Sequence, residues 1–263
     1  MIVMLDEANT LREIITYAPR SKRIGLIVPS SNTNLEPDCL LLAPTGVTVH
    51  SVRSGGYDVN VVPDSEEMRR FVRQSVDQHV RLLIDARVDV IAYGCTSGTL
   101  SDGPEFDRQF CGELARKSGR PAVTTAGALI EAIRSVRATR VAFTSPYVKR
   151  LSREGVDFIR SCGIDVVKEL AFEREMNSIE QNALTPQDAY DMAVRVNHPE
   201  AQAIVMSCTD YRALEAVPAI ERRIGKAVIT SNQALMFACL NRLSIDSKHL
   251  AAGGRLFKQQ GWC

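Results

Sequence analysis

Two cysteines stand in matching surroundings. Cys95 lies in Gly94-Cys95-Thr96-Ser97 and Cys208 in Ser207-Cys208-Thr209-Asp210, each directly after a short apolar run. A thiol at the carboxyl end of a parallel strand sits where open α/β sheets bind their ligands. Backbone N–H groups of such a turn stabilise negative charge, so they are expected to lower the thiol pKa and to bind a substrate carboxylate. The bias matters because an ordinary thiol, with a pKa of about 8.5, is only a few per cent thiolate at neutral pH. Thr96, Ser97 and Thr99 at one place, and Ser207 and Thr209 at the other, add small hydrogen-bond donors. The plainer reading makes each cysteine a small buried hydrophobe. The duplicated context favours chemistry for this pair, whereas Cys39, Cys111, Cys162, Cys239 and Cys263 lack it and are assigned to packing or surface.

A third feature is Pro29-Ser30-Ser31-Asn32-Thr33-Asn34. One residue of this kind suffices to cap a helix. A run of them suggests a carboxylate cradle, with Asn32 donating its amide and Ser30, Ser31 and Thr33 their hydroxyls or N–H groups. The matching turn of the second half is Thr144-Ser145-Pro146-Tyr147, where Tyr147 either packs in the core or aims its O–H into a cleft. Gly55-Gly56-Tyr57-Asp58 reads as a turn. His50 and His79 lie far from both cysteines, and neither a P-loop nor a GxGxxG follows the first strand, so nucleotide cofactors have no anchor.

The elements that must position these residues alternate between apolar runs and helix-period segments. Strands are predicted at 24–28, 47–52, 88–93 and 122–124, then again at 140–144, 165–171, 203–206 and 228–230. Amphipathic stretches at 64–86, 104–118 and 126–136 serve the first set, and 148–161, 186–196 and 213–224 the second. This order implies parallel sheets covered by helices, because parallel strands need crossover connections. Two cycles of four strands imply two similar lobes: an extension at 1–22, a first lobe at 23–136 and a second at 137–230. A last helix at 232–243 is expected to cross back, so that 231–263 completes the first lobe.

Composition narrows the partner. The 263 residues carry 32 basic and 31 acidic side chains, a net charge of +1, which offers no broad attraction to nucleic acid or anionic membranes. No apolar run approaches about 20 residues and the start lacks the pattern of a signal peptide, so a cytoplasmic protein is expected. Seven cysteines without CxxC or Cys/His metal spacing are expected to be reduced thiols, with no metal bound. A small molecule is the expected partner, and a homo-oligomer is left open.

The motifs Val28-Pro29-Ser30-Ser31-Asn32-Thr33-Asn34-Leu35-Glu36-Pro37, Gly94-Cys95-Thr96-Ser97-Gly98-Thr99, Ser145-Pro146-Tyr147 and Ser207-Cys208-Thr209-Asp210-Tyr211-Arg212 resemble the aspartate/glutamate racemase superfamily. Within it they resemble the branch of maleate cis-trans isomerase and arylmalonate decarboxylase, and most of all the ectoine-utilisation protein EutA. The resemblance implies two pseudo-symmetric flavodoxin-like lobes, an active site between them and no cofactor. It makes Cys95 and Cys208 the catalytic pair, and Asn32 and Tyr147 carboxylate ligands. It places a further asparagine at Asn177, with Asn182 as the alternative. Ser30, Ser31, Thr96, Ser97, Thr209 and Asp210 complete the expected substrate contacts. Two chemistries follow: proton exchange α to a carboxylate between facing thiols, or thiolate addition to an alkene, rotation and elimination. Arylmalonate decarboxylases keep only the second cysteine, so retention of both favours isomerisation. Asp210 departs from the maleate isomerase pattern and suits a substrate bearing an amine. A decarboxylase and a non-catalytic acid-binding protein are the alternatives.

Overall fold

The computed structural model describes residues 22–258, so the rest of the expected extension and Cys263 lie outside the described residues. β1 (Lys22–Pro29), β2 (Val47–Ser54), β3 (Val90–Tyr93) and β4 (Ala122–Thr124) form one parallel sheet in the order β2-β1-β3-β4. β5 (Arg140–Ser145), β6 (Asp165–Ala171), β7 (Ala203–Met206) and β8 (Ala227–Thr230) form a second, in the equivalent order β6-β5-β7-β8. This is the expected α/β class with two four-stranded parallel sheets. β3 and β7 are buried at every residue. Helices on both faces of such a strand explain why each reads as a continuous apolar run instead of an alternation.

The helices, in chain order, are α1 (Leu35–Leu41), α2 (Ser65–Val72), α3 (Val76–Asp85), α4 (Thr96–Leu100), α5 (Gly103–Ser118) and α6 (Thr125–Ser135). They continue as α7 (Lys149–Ser161), α8 (Ser178–Asn182), α9 (Pro186–Val196), α10 (Val217–Ile224), α11 (Ser231–Arg242) and α12 (Gly254–Phe257). The stretch 64–86, expected to be one amphipathic segment, is two helices. The chain breaks at Ser75, whose φ of 54° lies in the left-handed region. The break has a packing cause: α2 lies over α4 and buries Met68 and Phe71 there, whereas α3 turns Val80 and Leu83 toward the first sheet. A straight helix could not cover both surfaces. α4 and α8 escape periodicity because five residues are too few to show it.

The centre of each sheet fixes the turn that carries a cysteine. Gly94 N donates to Ile27 O at 2.8 Å, and Ser207 N donates to Thr144 O at 2.9 Å. Gly94 has no room for a side chain, since a Cβ there would sit 2.4 Å from Leu35 Cδ2 and 3.0 Å from Ile27 O. α11 begins with a capping box in which Gln233 N donates to Thr230 Oγ1 and Thr230 N donates to Gln233 Oε1, both at 3.1 Å. Ser231 to Leu240 are all buried, packed against α6, the matching helix of the first half, and against α1, β3 and β4 as well as β8. Among the described residues no helix is long and apolar enough to cross a membrane, and no group of three or more His, Cys, Asp or Glu is placed to hold a metal ion.

Candidate active site

The turns after β3 and β7 meet at one narrow pocket of about 30 Å³. Cys95, Thr96 and Ser97 line it from the first turn, Cys208, Thr209 and Asp210 from the second, and Tyr147 from the turn after β5. Met68, Phe71, Pro29, Pro63 and Leu151 give it an apolar wall. Tyr57, Ser178 and Gln181 complete the wall.

Side chains of each half brace the turn of the other. Thr96 Oγ1 donates to Ser231 Oγ at 2.9 Å, and that hydroxyl accepts from Cys208 N at 3.0 Å. In the opposite sense Thr209 Oγ1 donates to Gly94 O at 3.1 Å and accepts from Asn32 Nδ2 at 3.1 Å. Asn232 Nδ2 donates to Thr209 O at 3.1 Å and to Asp38 Oδ2 at 2.8 Å. Cys208 itself has a φ of 144°. Non-glycine residues rarely adopt this conformation, which costs about 1–3 kcal/mol and persists only where the surroundings enforce it. Here the Ser231 bond, a contact from Cys208 Sγ to Gln181 Oε1 at 3.6 Å, and Asp210 N donating to Cys208 Sγ at 3.4 Å hold it.

The structure does not bring the whole expected cradle to the chamber wall. Asn32 is fully buried; its Oδ1 accepts from Asn34 N at 2.9 Å and Leu35 N at 2.8 Å at the start of α1, and its amide is engaged by Thr209. Ser31 Oγ is 2.7 Å from Tyr57 Oη, and Ser30 and Ser31 face an outer groove. Asn177 caps α8 by accepting from Glu180 N at 3.0 Å, while its amide donates to Asn60 O at 3.3 Å. Asn182 joins the two halves, accepting from Thr33 N at 3.0 Å and donating to Ser31 O at 3.2 Å. In each case other protein groups, some backbone and some side chain, near in sequence or distant, claim the polar atoms. Tyr57, Gln181 and Ser231 went unrecognised in the sequence. Only Tyr57 had a signal, an aromatic placed directly after the Gly55-Gly56 turn.

Burial also reverses the expected thiol acidity. It pushes Cys95 up to about 11, against the opposing hydrogen bonds from Ser97 and the Gly98 N–H. Cys208 is pushed well above the ordinary thiol range by burial and then by the neighbouring Asp210 carboxylate. A turn of backbone donors cannot offset full desolvation in a chamber that has no cation on its wall. Asp210 is itself raised to about 7 by burial, against an opposing hydrogen bond from Asn182. Both thiols are therefore neutral at neutral pH.

The fold and site define a class of proteins with two four-stranded parallel α/β sheets whose strand-end turns meet at a shared pocket, here carrying one thiol from each side. The arylmalonate decarboxylase family model matches residues 24–257, and the chain belongs to that family. A maleate isomerase of Pseudomonas putida is 30% identical over 247 residues, which cover 89% of this chain and 96% of the relative. The crystal structure of a cysteine-to-alanine maleate isomerase from a Pseudomonas putida strain, with maleate, is 31% identical with a TM-score of 0.84, covering 91% of this chain and 98% of that one. A cysteine-to-serine mutant of Nocardia farcinica maleate cis-trans isomerase, with a covalently bound succinylcysteine intermediate, is 25% identical with a TM-score of 0.82, covering 91% and 99%.

Proposed function

We propose that this chain is a cofactor-independent isomerase of a small unsaturated carboxylic acid, with Cys95 as nucleophile and Cys208 as the proton-handling partner. The observation that carries the reading is the delivery of both thiols to one chamber from equivalent strand ends. The likeness to maleate isomerases, one of them bearing a succinylcysteine, supports it. The substrate carboxylate takes hydrogen bonds from the backbone N–H groups at Thr96, Ser97 and Thr209, since the hydroxyls of Thr96 and Thr209 already donate to Ser231 and Gly94 O. The Cys95 thiol passes its proton to the Cys208 sulfur, which gives its own to the forming enediolate oxygen, as the Cys95 sulfur attacks one alkene carbon: the C–S bond forms, the π pair moves onto the carboxylate, and the same proton transfers run backward when the C–S bond breaks. The former double bond, now single, turns. The pair then re-forms the alkene, the C–S bond breaks and the trans acid leaves. Each well-placed donor to the enediolate contributes about 3 kcal/mol. The narrower reading, an ectoine-pathway acid, rests on the likeness of the 28–37 and 207–212 motifs to the EutA group.

Cys95→Ala and Cys208→Ala are each expected to lower cis-trans conversion at least ~100-fold, the scale of a lost acid, base or nucleophile. Proton NMR in deuterated water reads the product and the position of label together. Exchange at an α-carbon without change of alkene geometry would replace this reading with racemisation, and full activity of Cys208→Ala would refute the two-thiol mechanism.

A further inference from the structure

The second turn places a carboxylate inside the chamber. Asp210 lies two residues after Cys208 and lines the same space as both thiols. One of its carboxyl oxygens is buried with no hydrogen-bond partner. Its charge is felt at Cys95, Cys208 and Tyr57 alike, which puts the carboxyl among them. The remaining titratable group on the wall is Tyr147, and no Lys, Arg or His lines the chamber. Arg53, the cation of the neighbouring turn, is committed to Glu36 and to the carbonyls of Ser30 and Asn32.

This wall has hydroxyl and N–H donors enough for one carboxylate. A second carboxylate would meet Asp210 in a site with little water to screen the repulsion, whereas a cation would give the unpartnered oxygen its missing donor. We infer that Asp210 determines specificity: the substrate is a small acid with one carboxylate and, at the end facing Asp210, an ammonium group. The inference deepens the isomerase reading and depends on it only for a turnover readout.

The test uses the full chain and three isosteric cis acids: maleate, aminocrotonate (an aminomethyl group in place of one carboxylate) and isocrotonate (a methyl group there). Conversion is followed by NMR, and binding by the slowing of iodoacetamide labelling at Cys95. Wild type is expected to act on cis-aminocrotonate with a kcat/KM at least tenfold above that for maleate, with isocrotonate between. Asp210→Asn, nearly isosteric, is expected to invert the order, maleate gaining and aminocrotonate losing about tenfold each. Maleate as the best wild-type substrate, with a ratio that Asp210→Asn leaves unmoved, would overturn the inference. Equal loss of all turnover in Asp210→Asn, with unchanged protection of Cys95, would overturn it too, by making Asp210 a proton carrier. Protection in the order aminocrotonate over maleate without any turnover would leave the inference standing and sink the isomerase reading.

Discussion

Cys208 pairs a reactive side chain with a backbone conformation that suits glycine, and the two demands can be separated by substitution. Cys208→Ala removes the thiol and keeps the φ of 144°, whereas Cys208→Gly removes both thiol and strain. The expected result is loss of turnover in both variants, with the glycine form more stable than the alanine form by about 1–2 kcal/mol after the entropy cost of glycine. Denaturant midpoints compare them directly; an alanine form as stable as the glycine form would mean that position 208 stores no strain. That strain was invisible in the sequence, although Cys95, Cys208, Thr96, Ser97, Thr209, Asp210 and Tyr147 were all legible as groups at strand ends. Asn32, expected as a carboxylate ligand, stands behind the pocket wall for a physical reason. Its type announces donors and acceptors, but the competitors that claim them, Leu35 N and Thr209 Oγ1, stand 3 and 177 residues away, and only folding brings the second within reach.

Among the elements, α1 and α11 meet through a pair that titrates. Burial pushes Asp38 up from 3.8 to about 7, with the Asn232 amide opposing, while Asn232 Oδ1 is buried without a partner. The folded chain thus holds a proton that the unfolded chain releases, so Asp38 lowers stability progressively as pH rises from about 4 through 7. Asp38→Asn removes this penalty and supplies an N–H for Asn232 Oδ1. The variant is expected to be more stable than wild type at pH 8 by ~1 kcal/mol or more, with the advantage shrinking as pH falls through 7 toward 4 and vanishing only below about 3, where Asp38 is neutral in both states. Equal destabilisation at both pH values would show that the ionised carboxylate is needed. The strands and longer helices were legible because their apolar periods are long. The break at Ser75 was not, since both halves of 64–86 keep a helical stripe and only the two surfaces they cover differ.

On the scale of the whole molecule, the two sheets share a strand order that the repeated βα pattern foreshadowed. The packing of α11 on α6 has a further consequence, because it concerns the order in which the chain is made. Translation delivers β1 to β4 and α6 long before Ser231–Arg242, so a nascent first lobe emerges with α6, α1 and the β4 edge lacking their cover. A chain stopped after Thr230 is expected to bind hydrophobic dyes and to melt without a cooperative transition; a sharp two-state melt would show that the cover is dispensable. By that expectation the α6 face stays uncovered, and open to aggregation, for as long as residues 137–230 take to be synthesised.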